Sequence, residues 1–144
     1  MNIRELAHHQ GQPPFWFRSG GERVVSNGHV AVLTDKGTSL EHRAGLDGDW
    51  LRGHLDNTET VVVDRTPFIH EGDMPGDLFG TRTSATLSVR IGGAIAALGY
   101  VALVEALHPG CVWRAPKDYS EPDNCILVAT VEHKPVAVLC PRKD

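Results

Sequence analysis

Residues 84–107 read Ser84-Ala85-Thr86-Leu87-Ser88-Val89-Arg90-Ile91-Gly92-Gly93-Ala94-Ile95-Ala96-Ala97-Leu98-Gly99-Tyr100-Val101-Ala102-Leu103-Val104-Glu105-Ala106-Leu107, and the fold class turns on them. In the first eight, Ala85, Leu87, Val89 and Ile91 alternate with Ser84, Thr86, Ser88 and Arg90. A period of two turns one set inward and the other to water, which predicts a half-buried strand. Gly92-Gly93 breaks it. From Ala94 to Leu107 the apolar residues Ile95, Leu98, Val101, Ala102 and Leu103 spread almost round a helical wheel, which predicts a helix enclosed by sheet and loops. Pro109 cannot continue such a helix and Gly110 accepts a left-handed turn, so His108-Pro109-Gly110 ends it. The run Gly92–Leu107 is shorter than the ~20 residues that span a hydrocarbon core and contains Glu105, so no membrane span is expected.

Downstream, Cys111-Val112-Trp113-Arg114 is followed by a polar loop from Pro116 to Asn124. Two apolar runs, Cys125–Val131 and Pro135–Cys140, then flank Glu132-His133-Lys134 and predict an antiparallel pair. Upstream, Arg23-Val24-Val25-Ser26 and His29–Thr34 flank Asn27-Gly28, two residues that tolerate the positive φ of a hairpin turn. Phe15-Trp16-Phe17-Arg18 before Ser19-Gly20-Gly21 reads as a first strand and its turn. Asp35–Asn57 has glycines at 37, 45, 48 and 53, which suggests an extended edge excursion. Thr60-Val61-Val62-Val63-Asp64 reads as a strand. Residues 66–82 form a long irregular segment, of the kind that often carries function. Residues 2–9 suit a short N-terminal helix, stopped by Gly11, Pro13 and Pro14. The expectation is a single α+β domain over 1–144, with a mainly antiparallel sheet packed on one long buried helix at 94–107.

Composition narrows the function classes. At 144 residues the chain has room for one domain. A hydrophobic fraction of 41 % is ordinary for a soluble protein, against a disordered tail or a fibrous repeat. A net charge of −4 does not support a nonspecific nucleic-acid binder, although local basic patches stay open. The N-terminus lacks the apolar run of a signal peptide, and the odd set Cys111, Cys125 and Cys140 has no C-x-x-C spacing. Both point to reduced thiols and a cytoplasmic location.

Four groups of residues bear on chemistry. His54, Asp56, His70 and Asp73 carry imidazole and carboxylate donors suited to zinc or non-haem iron, and would serve a small metal-dependent hydrolase. They lack a rigid spacing such as H-E-x-x-H, and solvated loop residues explain the same facts more cheaply. The cysteines are expected to be inert: Cys125 and Cys140 fall in apolar runs, and Cys111 follows a helix C-terminus, whose partial negative charge disfavours a thiolate. Gly92-Gly93 lacks the rest of a phosphate-binding loop, and the pairs Asp47/Asp49 and Asp73/Asp77 read as turn residues. Phe15, Trp16 and Phe17 with Arg18 have the aromatic and basic make-up that stacks nucleobases in single-strand binders, although an inner sheet face plus an edge aromatic is the blander and favoured account. Phe15, Trp16 and Arg18 are the candidate contact residues.

Two stretches resemble the DNA sliding clamps, the ring-shaped processivity factors. Ser26-Asn27-Gly28-His29-Val30-Ala31-Val32 is similar to the clamp hairpin, in which a polar-Gly turn precedes an apolar strand. Lys134–Arg142 is similar to the closing strand of a clamp module, an apolar run ending in Pro141 and a basic residue. Tyr100–Leu107 takes the place of the module's second helix. Clamps chain several modules and line their hole with basic helices, whereas this chain has one module and no Lys or Arg in 94–107. The resemblance implies a clamp-like α+β fold reused as a lone binding or regulatory module, and no catalytic residues.

No catalytic constellation or cofactor site emerges, so the expected function is non-catalytic: a binding or regulatory protein with a protein partner, of the kind mobile elements often encode. The metal-dependent hydrolase is the alternative. A homo-oligomeric shell or ring component is the third class, with Phe15, Trp16 or the closing strand at subunit contacts.

Overall fold

The computed structural model describes residues 13–37, 39–43, 49–69, 87–117 and 126–141. In chain order these form β1 (Phe15–Ser19), β2 (Glu22–Ser26), β3 (Val30–Leu33), β4 (Glu41–His42), α1 (Trp50–Gly53), β5 (Thr58–Thr60) and β6 (Val63–Phe68). There follow β7 (Ser88–Ile91), β8 (Ala94–Ala97), α2 (Leu98–Leu107), β9 (Val112–Pro116), β10 (Leu127–Val131) and β11 (Lys134–Leu139). Eight strands make one sheet in the order β4-β1-β2-β3-β11-β10-β9-β5, and β6-β7-β8 make a second. The β1–β4 contact is parallel, and the other pairings are antiparallel.

The expected α+β arrangement on a long buried helix is overturned: half of the described residues are strand and 14 % are helix, in two short pieces. The helix expected over 94–107 is a strand for its first four residues. Ile91 pairs with Ala94 across Gly92-Gly93, which close a hairpin with Gly92 at φ 59° instead of opening a helix. Ala94-Ile95-Ala96-Ala97 is buried at every position, and a short run apolar on all sides has no period to tell strand from helix. The pairing with β7 decides it. The alternation upstream also fails at one position, because Ser88 is buried along with Val89 and Ile91. The short N-terminal helix expected over 2–9 lies outside the described residues.

Other expectations divide. The β1 strand, its Gly20-Gly21 turn, the β10–β11 pair and the helix stop at His108-Pro109-Gly110 are all observed. The β2–β3 hairpin exists with its turn one residue later than read. Ser26 pairs with Ala31 and Asn27 bonds Val30, so the central residues are Gly28, at φ 91°, and His29. Asn27 is fully buried: its Oδ1 accepts from the His29 and Val30 amides at 3.0 and 3.2 Å, and its Nδ2 donates to the Tyr100 hydroxyl at 3.0 Å. The side chain thus satisfies the turn and ties it to α2. The β-branched run at 60–64 is divided between the sheets. The Val61 amide donates to Trp113 in the large sheet, and the Val62 carbonyl accepts from Gly92 in the small one. The 35–57 excursion contributes β4 to the sheet edge and, unforeseen, the one-turn α1.

The core lies along the middle of the large sheet. Every residue of β3 is buried, as are all but the last of β10 and all but the first of β11. Tyr100, Val101, Leu103 and Val104 of α2 and Leu51 of α1 join the same cluster. At roughly 1.5–3 kcal/mol for each fully buried large aliphatic side chain, this cluster is the main stabilising contribution. The closing strand β11 lies between β3 and β10, and β1 between β4 and β2, so the edge role considered for these strands in an oligomer belongs to others. Among the described residues no helix is long and apolar enough to cross a membrane.

Candidate functional site

Alternation along β1 separates the three residues picked for contact. Phe17 meets Trp50 of α1 edge-on at 5.4 Å, and Phe15 lies on that same face, beside Phe17 and under the Arg43 guanidinium at 4.1 Å. Trp16 and Arg18 point the other way. From β4, the His42 ring stacks on Trp16 at 4.0 Å, and from β2, Arg23 lies over the same indole at 4.6 Å. Occupied by these two groups, the indole is poorly placed to take a nucleobase. Arg23 also donates to the carbonyls of Asp35 (3.1 Å) and Gly37 (2.7 Å), pinning the chain after β3 beside the stack. Cation–aromatic contacts of this kind contribute about 0.5–2 kcal/mol, more as water is excluded. Arg18 is exposed, 5.6 Å from the Trp16 ring, and bonds the Gly21 carbonyl at 3.2 Å.

These arginines line one side of an open groove of about 820 Å3 that runs across the strand ends. Its walls are the tips of two hairpins, β1–β2 with Gly21, Glu22 and Arg23, and β10–β11 with Val131, Glu132 and Lys134. Leu33, Asp35, Val136 and the helix-capping His108 complete it. His108 is fixed there by its Nε2, which contacts the Leu33 carbonyl at 2.7 Å. Lys134 and Glu22 form an ion pair that bridges the two walls. Both side chains are about half exposed, so the pair contributes at most about 1 kcal/mol. A smaller cavity of about 250 Å3 on the α1 side shares Glu22, Leu33 and Lys134 with it.

The candidate metal ligands are not brought together where the structure describes them. His54 is partly buried against Trp50, with ring centroids 4.8 Å apart, and its Nε2 has no hydrogen-bond partner among the described residues. Burial pushes its pKa below the ordinary imidazole value. Asp56 is exposed, and His70 and Asp73 lie outside the described residues. Among the described residues no three His, Cys, Asp or Glu side chains gather to hold a metal ion. Asp49 is the N-cap of α1, accepting from the Arg52 amide at 3.3 Å and its Nε at 3.1 Å, while Asp47, Asp73 and Asp77 lie outside the described residues.

Of the cysteines, Cys140 departs from the burial that its apolar run suggests. Cys140 is exposed at the end of β11, Cys111 is half-buried after α2, and Cys125 lies outside the described residues. Burial, and then the nearby Glu105 carboxylate, push the Cys111 thiol up, away from a reactive thiolate. Glu105 itself is held below the usual carboxylate range by Arg65, which grips it through two hydrogen bonds of 2.7 and 2.6 Å.

Trp16 and Arg18 were legible from residue type. Arg23, Leu33, Glu132 and Lys134 were not, because nothing local signals that β11 returns to lie beside β3. The paired hairpin signals were the only available hint. No family model, curated protein or solved structure matches the chain.

Proposed function

We propose that this chain is a non-catalytic binding protein that contacts a protein partner through the groove between the β1–β2 and β10–β11 hairpins. The observation that carries the reading is the construction of that groove. Charged residues on two hairpin tips surround a floor formed by the buried Leu33 and Val136, and one wall is braced by the Trp16–Arg23 stack. Charged groups set around a concave surface steer a partner to it and set its selectivity. The stretches that resemble a clamp module, β2–β3 and β11, are neighbours in the large sheet and adjoin this groove, in keeping with a binding module that carries no chemistry. A cytoplasmic setting suits it, since Cys111 and Cys140 stay reduced there.

Site-specific photocrosslinking tests the reading. A crosslinker at Gly21 should trap a defined partner in native extract, and Arg18→Glu should abolish the product without changing the melting temperature. Capture that ignores Arg18→Glu would overturn the assignment of the groove. A stoichiometric transition metal in the purified protein, lost on His70→Ala, would overturn the non-catalytic reading in favour of the hydrolase.

A further inference from the structure

Charge is unevenly distributed along the groove. Across the strand order, Arg18 and Arg23 stand at β1 and β2, Asp35 follows β3, and Glu132 occupies the β10–β11 turn. Lys134 and Glu22 cancel each other in between. Arg23 is held against the Asp35 and Gly37 carbonyls. Among the described residues, Arg18 at the β1–β2 end and Glu132 at the β10–β11 end are then the opposite charges that mark the two ends, with the buried Leu33 and Val136 as the floor between them. We propose that the groove selects an extended peptide segment carrying both charges, an acidic side chain at the β1–β2 end and a basic one at the β10–β11 end. This rests on the binding reading above and goes further by naming the partner's chemistry.

Geometry sets the spacing. Three strand intervals separate β1 from β11, about 14 Å at roughly 4.8 Å each, which an extended peptide covers in about four residues. The acid and the base should then be about four residues apart, with a small or apolar residue between them over Leu33.

A second observation falls at the anionic end. Glu132 and His133, the central residues of the β10–β11 turn, have φ of 50° and 67°. Asn-Gly makes such a turn without the steric cost that side chains bring to the left-handed region. Among the described residues, neither the Glu132 nor the His133 side chain is held by a hydrogen bond or ion pair. The chain keeps two side chains where bare backbone would be more stable; both are exposed, and Glu132 lines the groove. Contact with a partner accounts for that.

Fluorescence polarisation with labelled eight-residue peptides tests the proposal on the whole chain. One peptide carries two Glu and two Lys in separate pairs four residues apart, a second only Glu, a third only Lys, and an oligothymidylate provides a nucleic-acid arm. Wild type should bind the mixed peptide about tenfold more tightly than the others, since each uniform peptide sets like charges against one end. Arg18→Glu should move the preference to the Lys peptide and Glu132→Lys to the Glu peptide. Both positions are exposed, and unchanged thermal melts should confirm that both variants fold. Tightest binding of a uniform peptide or the oligothymidylate by wild type, or an order that neither variant changes, would overturn the proposal. Crosslinking from extract that still depends on Arg18, together with such a result, would leave the binding reading standing and remove only this one.

Discussion

The two hairpins that wall the groove solve one backbone problem with opposite chemistry. In β1–β2 the central residues are Gly20 and Gly21, at φ 57° and 81°, and in β10–β11 they are Glu132 and His133, at 50° and 67°. Both turns have two residues and positive φ throughout, the conformation that matches the twist of the flanking strands. Glycine reaches it without steric cost, whereas a side chain adds roughly 1–2 kcal/mol per residue. The first turn thus takes this conformation without steric cost, and the second bears that cost while exposing a carboxylate and an imidazole.

The largest effect expected on this contrast comes from the hairpin between them. Asn27 holds the β2–β3 turn through two hydrogen bonds, ties it to Tyr100 with a third, and is itself fully buried. Asn27→Ala should lower the unfolding free energy by about 3 kcal/mol in urea titration, because two amides and the Tyr100 hydroxyl lose a buried partner. Next comes Gly20→Ala, which combines left-handed φ with a new Cβ 3.2 Å from the Asp49 carboxyl carbon. It should cost about 2 kcal/mol, against about 1 for Gly21→Ala, where nothing lies within reach. Equal losses at the two positions would remove the Asp49 contact from the account. In the other direction, the double change Glu132→Asn, His133→Gly should stabilise the protein by about 1 kcal/mol while weakening partner capture. A gain in melting temperature with capture unchanged would show that the two side chains serve no contact.

The smallest effect is that of pH. Because burial lowers the His54 pKa, the unfolded chain binds more protons than the folded one just below the ordinary imidazole value. Stability should therefore fall as pH drops below about 6.5, by well under 1 kcal/mol given the partial exposure of the ring. His54→Gln should flatten that part of the stability profile, measured by urea titration from pH 7.5 to 5.

What could be read from the chain followed the range of the signal. Gly20-Gly21 and the strand before it were legible because turn chemistry is local, and so was the stop at Pro109-Gly110. The β8–α2 boundary was not, since Ala94–Ala97 is buried on both faces and only its hydrogen bonds to β7 distinguish it from the helix that follows. Asn27 was read as a residue in the turn itself, when its buried amide organises the turn from one position before. The β5–β6 division inside 60–64 was hidden for a related reason: Val61, Val62 and Val63 are chemically alike, and only their partners, Trp113 on one side and Gly92 on the other, separate them. For the candidate site, residue type revealed Trp16 and Arg18, and strand order supplied the rest.

The central position of β11 also governs the order in which the molecule can form. During synthesis the β1–β2–β3 meander emerges early and β9 and β10 much later, and these two halves share no hydrogen-bonded border until residues 134–139 arrive. Contacts so distant in sequence are slow to form, and the waiting β3 edge is a surface onto which other nascent chains can add. A polypeptide halted before Lys134 should accordingly depend on chaperones to stay dispersed, and its release should bring a single late gain of protease resistance across the whole sheet.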